Sequence, residues 1–474
     1  MSRPGLHHKF AATRLALFMS AATLAAASPP PAPSFTRDIA PIFAQSCNGC
    51  HHPGKEKGGL DLTTYASLRK GGKHGVVFEP GKTNGCRLLE NIQGPDPSMP
   101  KNADPLPPAT VALIARWISE SALDDTPPES TSLPAPPIYT SLPVITALAY
   151  SPDGRYLAVA GFHEVLLLST TPTNNNNNHQ ILARLVGRAS RIESFEFSPD
   201  EQHLLAVAAG SPGLFGEIQI WDPATATQLH AYRAAYDSVY GVHWSPDASR
   251  VAFGGADKTA RVLRVSDGHL LVTFDQHSDW VFGAVFVHEG KQIVTASRDR
   301  SLKLVDASTG ALIDILNRDS EPIQCLAKHP REDWVLFGSD VRPRLYKAVA
   351  KTDHSDPNAD PNAIREFDNF EDGVTAVAFS PDGKWLACSG GPTGEVRVHD
   401  VSNARRKATL RGNNALIFGL SFSPDGKYLA TAGYEGRVRI YDWAKEHLLD
   451  DFIPVPISPA LSSTTQSGPD HASR

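Results

Sequence analysis

Residues 47–52 read Cys-Asn-Gly-Cys-His-His, in a chain of 474 residues that holds only 5 cysteines. Two thiols three positions apart, followed at once by an imidazole, suit one chemistry. Both sulfurs add across the vinyl groups of a porphyrin, and the histidine ligates its iron. One turn of backbone must bring both sulfurs to a single porphyrin edge while turning His51 towards the metal. A zinc site would need two more ligands at comparable spacing, and the next cysteine, Cys86, stands alone. A thioredoxin-like dithiol would sit in a βαβ context, which is absent here. The motif is read as the covalent attachment site of one haem c through Cys47 and Cys50, with His51 as an axial ligand of the iron.

The opposite ligand follows from elimination. Of three methionines, Met1 and Met19 lie in the N-terminal leader, which leaves Met99 in the run Pro97-Ser98-Met99-Pro100. A thioether raises the haem potential relative to a second imidazole. His52 and His74 are the rivals. His52 follows His51 directly and needs a contorted backbone to reach the other face, whereas His74 sits in the glycine-rich loop GGKHGVV.

The leader itself has the pattern of an export signal. Arg3, His7, His8, Lys9 and Arg14 form a basic start, and Leu15–Ala27 is a mostly apolar stretch ending in three alanines. Such a stretch falls short of the roughly 20 residues that span a bilayer, so residues 1–27 are expected to be a cleaved signal peptide and the mature chain to be exported, periplasmic or otherwise extracytoplasmic. No later apolar run reaches membrane length. The charge is mildly acidic, with 45 basic and 51 acidic residues and no basic patch, which argues against a nucleic-acid partner. With two cysteines committed to haem, Cys86, Cys325 and Cys388 form an odd set that argues against a disulfide framework. Cys325 and Cys388 lie in strand-like patterns and read as small core residues.

Residues 34–123 form a unit around the motif. Thr36 is placed to cap a helix that carries Ile39, Ile42 and Phe43 on one face and runs into Cys47, with Pro41 tolerable only in its first turn. A second helix is expected over 108–122, with Leu113, Ile114, Trp117 and Ile118 as its apolar stripe. Residues 124–142 are proline-rich and suit a semi-rigid linker. The tail, 457–474, is polar and expected to be disordered.

The segments FTRDIAPIFAQSCNGCHHPGKEKGGLDL, GGKHGVVFEPGKTNGCRLLENI, MP and ARWISESA make residues 34–123 resemble the cytochrome c domain of planctomycetes. That resemblance implies a covalent haem c on Cys47 and Cys50, ligated by His51 and Met99. Cys86 stands where the family leads one to expect serine.

From 143 to 456 the chain repeats itself. Ser-Pro-Asp-Gly occurs at 151, 380 and 423, with looser copies SPDE at 198, SPDA at 245, VHEG at 287 and HPRE at 329. Seven copies thus recur with a period of about 45 residues. An alternating strand precedes each tetrad, a second follows it, and a third ends in an aromatic or apolar residue and then usually Asp, as in IQIWD, LKLVD, VRVHD and VRIYD. This region resembles the WD-repeat family, which implies a seven-bladed β-propeller. The fifth copy is degenerate, and insertions fall at 174–178 and near 356–363. His277 and Asp299 have the types of a catalytic pair, but in a WD repeat they read as a hydrogen bond that locks a blade. Trp221, Trp244, Trp280 and Trp385 read as packing residues.

The fold class expected is therefore multidomain, a small all-α cytochrome c domain followed by an all-β seven-bladed WD40 propeller. The function expected is electron transfer through one covalent haem c, with the propeller docking a protein redox partner or another macromolecule. No catalytic residues are assigned. Two alternatives stand: an oxidoreductase with a further cofactor or substrate site in the propeller, and a haem-based redox or gas sensor.

Overall fold

Ser34 opens the first helix. Its hydroxyl accepts from the Arg37 N–H at 3.4 Å, and its carbonyl accepts from both Asp38 and Ile39. The cap is therefore Ser34 and not Thr36. Pro41 cannot donate a backbone hydrogen bond, and the chain meets this with a wide π-helical turn, Phe35–Ile39, that leads into α1 (Ala40–Ser46) with the proline in its first turn. Ile39 and Phe43 are buried and Ile42 packs beside them, so the apolar face is the expected one.

The computed structural model describes residues 31–52, 57–101, 103–126, 133–170, 179–318, 321–351 and 360–458. The leader at 1–27, the asparagine run at 174–178 and the tail beyond 458 lie outside them. Two short helices, α2 (Tyr65–Lys70) and α3 (Arg87–Ile92), join α1, and α4 (Pro108–Ser119) packs across them. A capping box between Thr64 and Ser67 starts α2. Ile114, Trp117 and Ile118 of α4 are fully buried. The helix stops at Ser119 rather than 122 because Ser121 and Ala122 turn to positive φ. Trp117 is the centre of an aromatic group, with Phe78 at 5.1 Å, Phe35 at 6.0 Å and Tyr65 at 6.2 Å between ring centroids.

Beyond the connector, the described chain is β-structure in six antiparallel sheets, one of seven strands and five of four. The seven-stranded sheet departs from the separate units the repeat predicts. Its long strand Ile181–Phe197 pairs with Phe162–Ser169 through its first half and with Leu205–Ser211 through its second. No proline or Asn-Gly pair interrupts that stretch. At Gly187 the strand also passes so close to Gln219 that a side chain there would strike its amide. The degenerate fifth copy still makes four strands, Ile323–Lys328, Trp334–Ser339, Pro343–Lys347 and Ala363–Glu366.

The leading strands of successive units touch one another in chain order, from Leu148–Tyr150 through to Ile417–Phe422, and the last touches the first. The Ile145 N–H donates to the Gly433 carbonyl at 3.0 Å and the Tyr150 N–H to the Ser421 hydroxyl at 3.0 Å across that junction. Tyr139, within the proline-rich connector, is buried and donates to Glu164 at 2.7 Å. Its backbone pairs in parallel with Ile457, and its carbonyl accepts from Ser458.

The repeated tetrad has one physical design. In Ser151-Pro-Asp-Gly154 the buried serine hydroxyl donates to Asp153 at 2.6 Å and accepts from the Tyr156 N–H at 2.9 Å, while Gly154 takes a φ of +72°. The copies at 380 and 423 repeat the pattern, with glycine φ values of +74° and +71°. At 245 the serine and aspartate bond in the same way, but the fourth residue is Ala248 at φ +54°. A residue with a Cβ is strained there by about 1 kcal/mol. Ala248→Gly is expected to stabilise the β-region by about that amount, read as a higher denaturant midpoint at unchanged slope.

Candidate haem site

Cys47 caps the C-terminus of α1, its N–H donating to the Phe43 carbonyl at 2.8 Å. The chain then folds back on itself: the N–H groups of Cys50 and His51 both donate to the Cys47 carbonyl, at 3.1 and 3.2 Å. One turn thus presents both thiols and the imidazole, as the spacing requires. Downstream, the His51 carbonyl accepts from the Leu62 N–H at 3.0 Å, which pins the turn at its far side. Cys47 is mostly buried, and burial pushes its thiol up to about 11. Cys50 is exposed.

Met99 lies on the same apolar cluster as Cys47, together with Ile39, Phe43 and Trp117. The end of α3 places it. The Met99 N–H donates to the Asn91 carbonyl at 2.9 Å, and Ser98 donates to the Asn91 side chain at 2.7 Å. Asn91 in turn donates to the Arg87 carbonyl at 2.7 Å. Asn91 was not legible as a site residue; four positions after Arg87 in a short helix, its only signal is an amide beside an otherwise apolar face.

The two rival histidines go elsewhere. His74 is exposed, and its carbonyl accepts from Arg87. His52 is 1% exposed, and its ring stacks on Tyr236 of the β-region with centroids 4.9 Å apart. Cys86 is buried at the start of α3, where burial raises its thiol above the ordinary range.

The residues present fit a covalent haem. Both thiols are free and share one turn. The His51 Nδ1 atom is buried without a hydrogen-bond partner among the described residues, so the ring is not committed to a protein acceptor through that atom. Among the described residues no cluster of three His, Cys, Asp or Glu side chains is placed to hold a bare metal ion.

Residues 47–102 match the family described as Planctomycete cytochrome C. The cytochrome c segment is joined to matches of the WD domain, G-beta repeat, at 226–263, 268–306, 362–400 and 404–442. The copies at 151, 198 and 329 are unmatched, although the degenerate copy at 329 still forms four strands. Similar curated proteins include a guanine nucleotide-binding protein subunit beta of Arabidopsis thaliana, 23% identical over 46% of this chain and 58% of its own length. Another is WD repeat-containing protein 37 of Xenopus laevis, 26% identical over 50% of this chain and 45% of its own length. The chain spans about half the length of the curated relatives it matches.

In the WD region the His277–Asp299 pair is structural. His277 Nδ1 meets Asp299 at 2.8 Å and Nε2 meets Thr295 at 2.8 Å, so both ring nitrogens are engaged. Burial lowers the His277 pKa against the pull of Asp299, and the bond ties the loop before Val281–Val287 to the turn between Gln292–Ser297 and Leu302–Asp306. Trp221 and Trp244 are buried as expected. Trp280 is not. It is 38% exposed beside Tyr240 and Phe282, with the Arg298 guanidinium 5.3 Å from its ring centroid.

Proposed function

We propose that this protein is an exported c-type cytochrome that carries one electron on a single haem, with the WD repeats forming a seven-bladed propeller that docks a protein redox partner. The observation that carries the reading is the turn 47–51, which sets two free thiols and an imidazole on a core that also receives Met99. The six sheets support the propeller, because the strand Ile181–Phe197 serves two adjacent blades and the leading strands close on one another. WD repeats commonly bind other proteins, and no helix among the described residues is long and apolar enough to cross a membrane.

Bound at this turn, haem supplies one-electron iron chemistry. The chain's own residues do the rest. Cys47 and Cys50 would fix the group to the protein, and His51 and Met99 would ligate its iron. Ile39, Phe43 and Trp117 keep water from the buried side, which tunes the potential through the local dielectric. The exposed aromatic group at Trp280 is the kind of surface a transient redox partner uses, since such contacts are small and rich in Trp, Tyr and Arg.

One observation favours a second reading, an oxidoreductase with its own substrate site. A cavity of about 1110 Å³ opens among the leading strands, lined in part by Arg191, Glu193, Tyr240, Phe282, Thr375 and Phe418. A redox titration of the full chain separates the two. A cytochrome carrier gives one one-electron Nernst wave, while a second wave or a chromophore other than haem supports the enzyme.

A further inference from the structure

His52 follows the proposed iron ligand directly, yet its ring is almost wholly covered. It stacks on Tyr236, at an interplanar angle of 27° and a centroid separation of 4.9 Å. Tyr236 stands in the connection between the strands Thr227–Ala235 and Val239–Trp244. A buried polar group lies near the stack: the Asp257 carboxylate accepts from Arg261 at 2.7 Å and from the Thr259 hydroxyl at 2.6 Å. Both His52 and Tyr236 lie within electrostatic reach of that carboxylate. The His52 ring is thus engaged with the β-region.

We propose that the His52–Tyr236 stack is the dock that fixes the haem-bearing turn to the WD region. The turn 47–51 is held within its own domain by Phe43 and Leu62, and His52, the next residue, carries its ring contact to the WD region. With His52 seated on Tyr236, any motion of this face of the WD region is passed through one residue to His51. A partner that engages the loop around Tyr236 competes with His52 and so acts on the haem-bearing turn. This consequence rests on the reading of 47–51 as a haem site; the dock itself does not.

Hydrogen–deuterium exchange of the full chain tests the dock, with peptides covering 47–62 and 232–244. Tyr236→Ala is expected to speed exchange in both peptides by about tenfold, the loss set by one aromatic stack. Tyr236→Phe, which keeps the ring, is expected to retain the protection of the parent. Unchanged exchange at 47–62 in Tyr236→Ala overturns the proposal, and so does failure of the phenylalanine variant to keep protection. A peptide over 417–433 reports whether the WD region is still folded. Should Tyr236→Ala lose protection there as well, His52→Ala is read in its place. Faster exchange at 232–244 in that variant supports the dock, and parental exchange overturns it. The visible spectrum of the same samples reports haem separately, so a failed dock and a failed cytochrome reading give different results.

Discussion

Replacing Cys47 and Cys50 together with alanine is expected to yield a chain that carries no haem after denaturation, while the parent keeps it. The argument begins with the number of available bonds. Covalent attachment needs a thiol adding across each vinyl group, and the other free cysteines, Cys86, Cys325 and Cys388, are remote from the turn or sealed in cores. Cys388 is buried in the β-region, and Cys325 belongs to the same cluster there. Each single alanine variant is expected to keep one thioether and a haem that still stains under denaturing conditions. The double variant should lose the stain completely. The fold should survive, because Cys50 is exposed and Cys47 contributes only the edge of a core held by Phe43, Ile114 and Trp117.

Met99→Ala is expected to lower the midpoint potential by on the order of 100 mV or more, a fraction of the roughly 0.8 V that axial ligation commands. A thioether favours the reduced iron more than nitrogen or water does. The loop should keep its shape, since the Met99 N–H and Ser98 hydroxyl bind Asn91 through groups that the substitution leaves intact. The shift therefore reports the side chain and not a collapsed loop. Met99→Leu, which restores apolar volume without sulfur, should show the same fall. A potential that stays near the parent value in both variants removes Met99 as a ligand.

How much of this was legible in the sequence depended on the range of the interaction. The haem turn was legible because its chemistry is carried by residues one turn apart. The apolar faces of α1 and α4 were legible because helical spacing repeats every three or four residues. The cap was misplaced by two residues because Ser34 and Thr36 have equal chemistry, and nothing in the sequence marks the π-helical turn that opens at Ser34. The merging of two sheets through Ile181–Phe197 had no positive signal, since the sequence there merely lacks a turn. The role of His52 lay beyond reach, because its partner Tyr236 is brought to it by the fold alone. Trp280 carries the same lesson. Four tryptophans of the repeat region were read alike, and the loop at Asp279 leaves Trp280, just before the strand Val281–Val287, facing water.

The central claim is that one haem is covalently bound at Cys47 and Cys50. A pyridine haemochrome spectrum of the full chain, matured in an exporting host, tests it most directly. One haem per chain is predicted, with the reduced band at the position of a porphyrin whose two vinyl groups are saturated by thioethers, and unextracted by acidified acetone. Haem that extracts freely, a band of an unsaturated porphyrin, or a stoichiometry other than one would contradict the account.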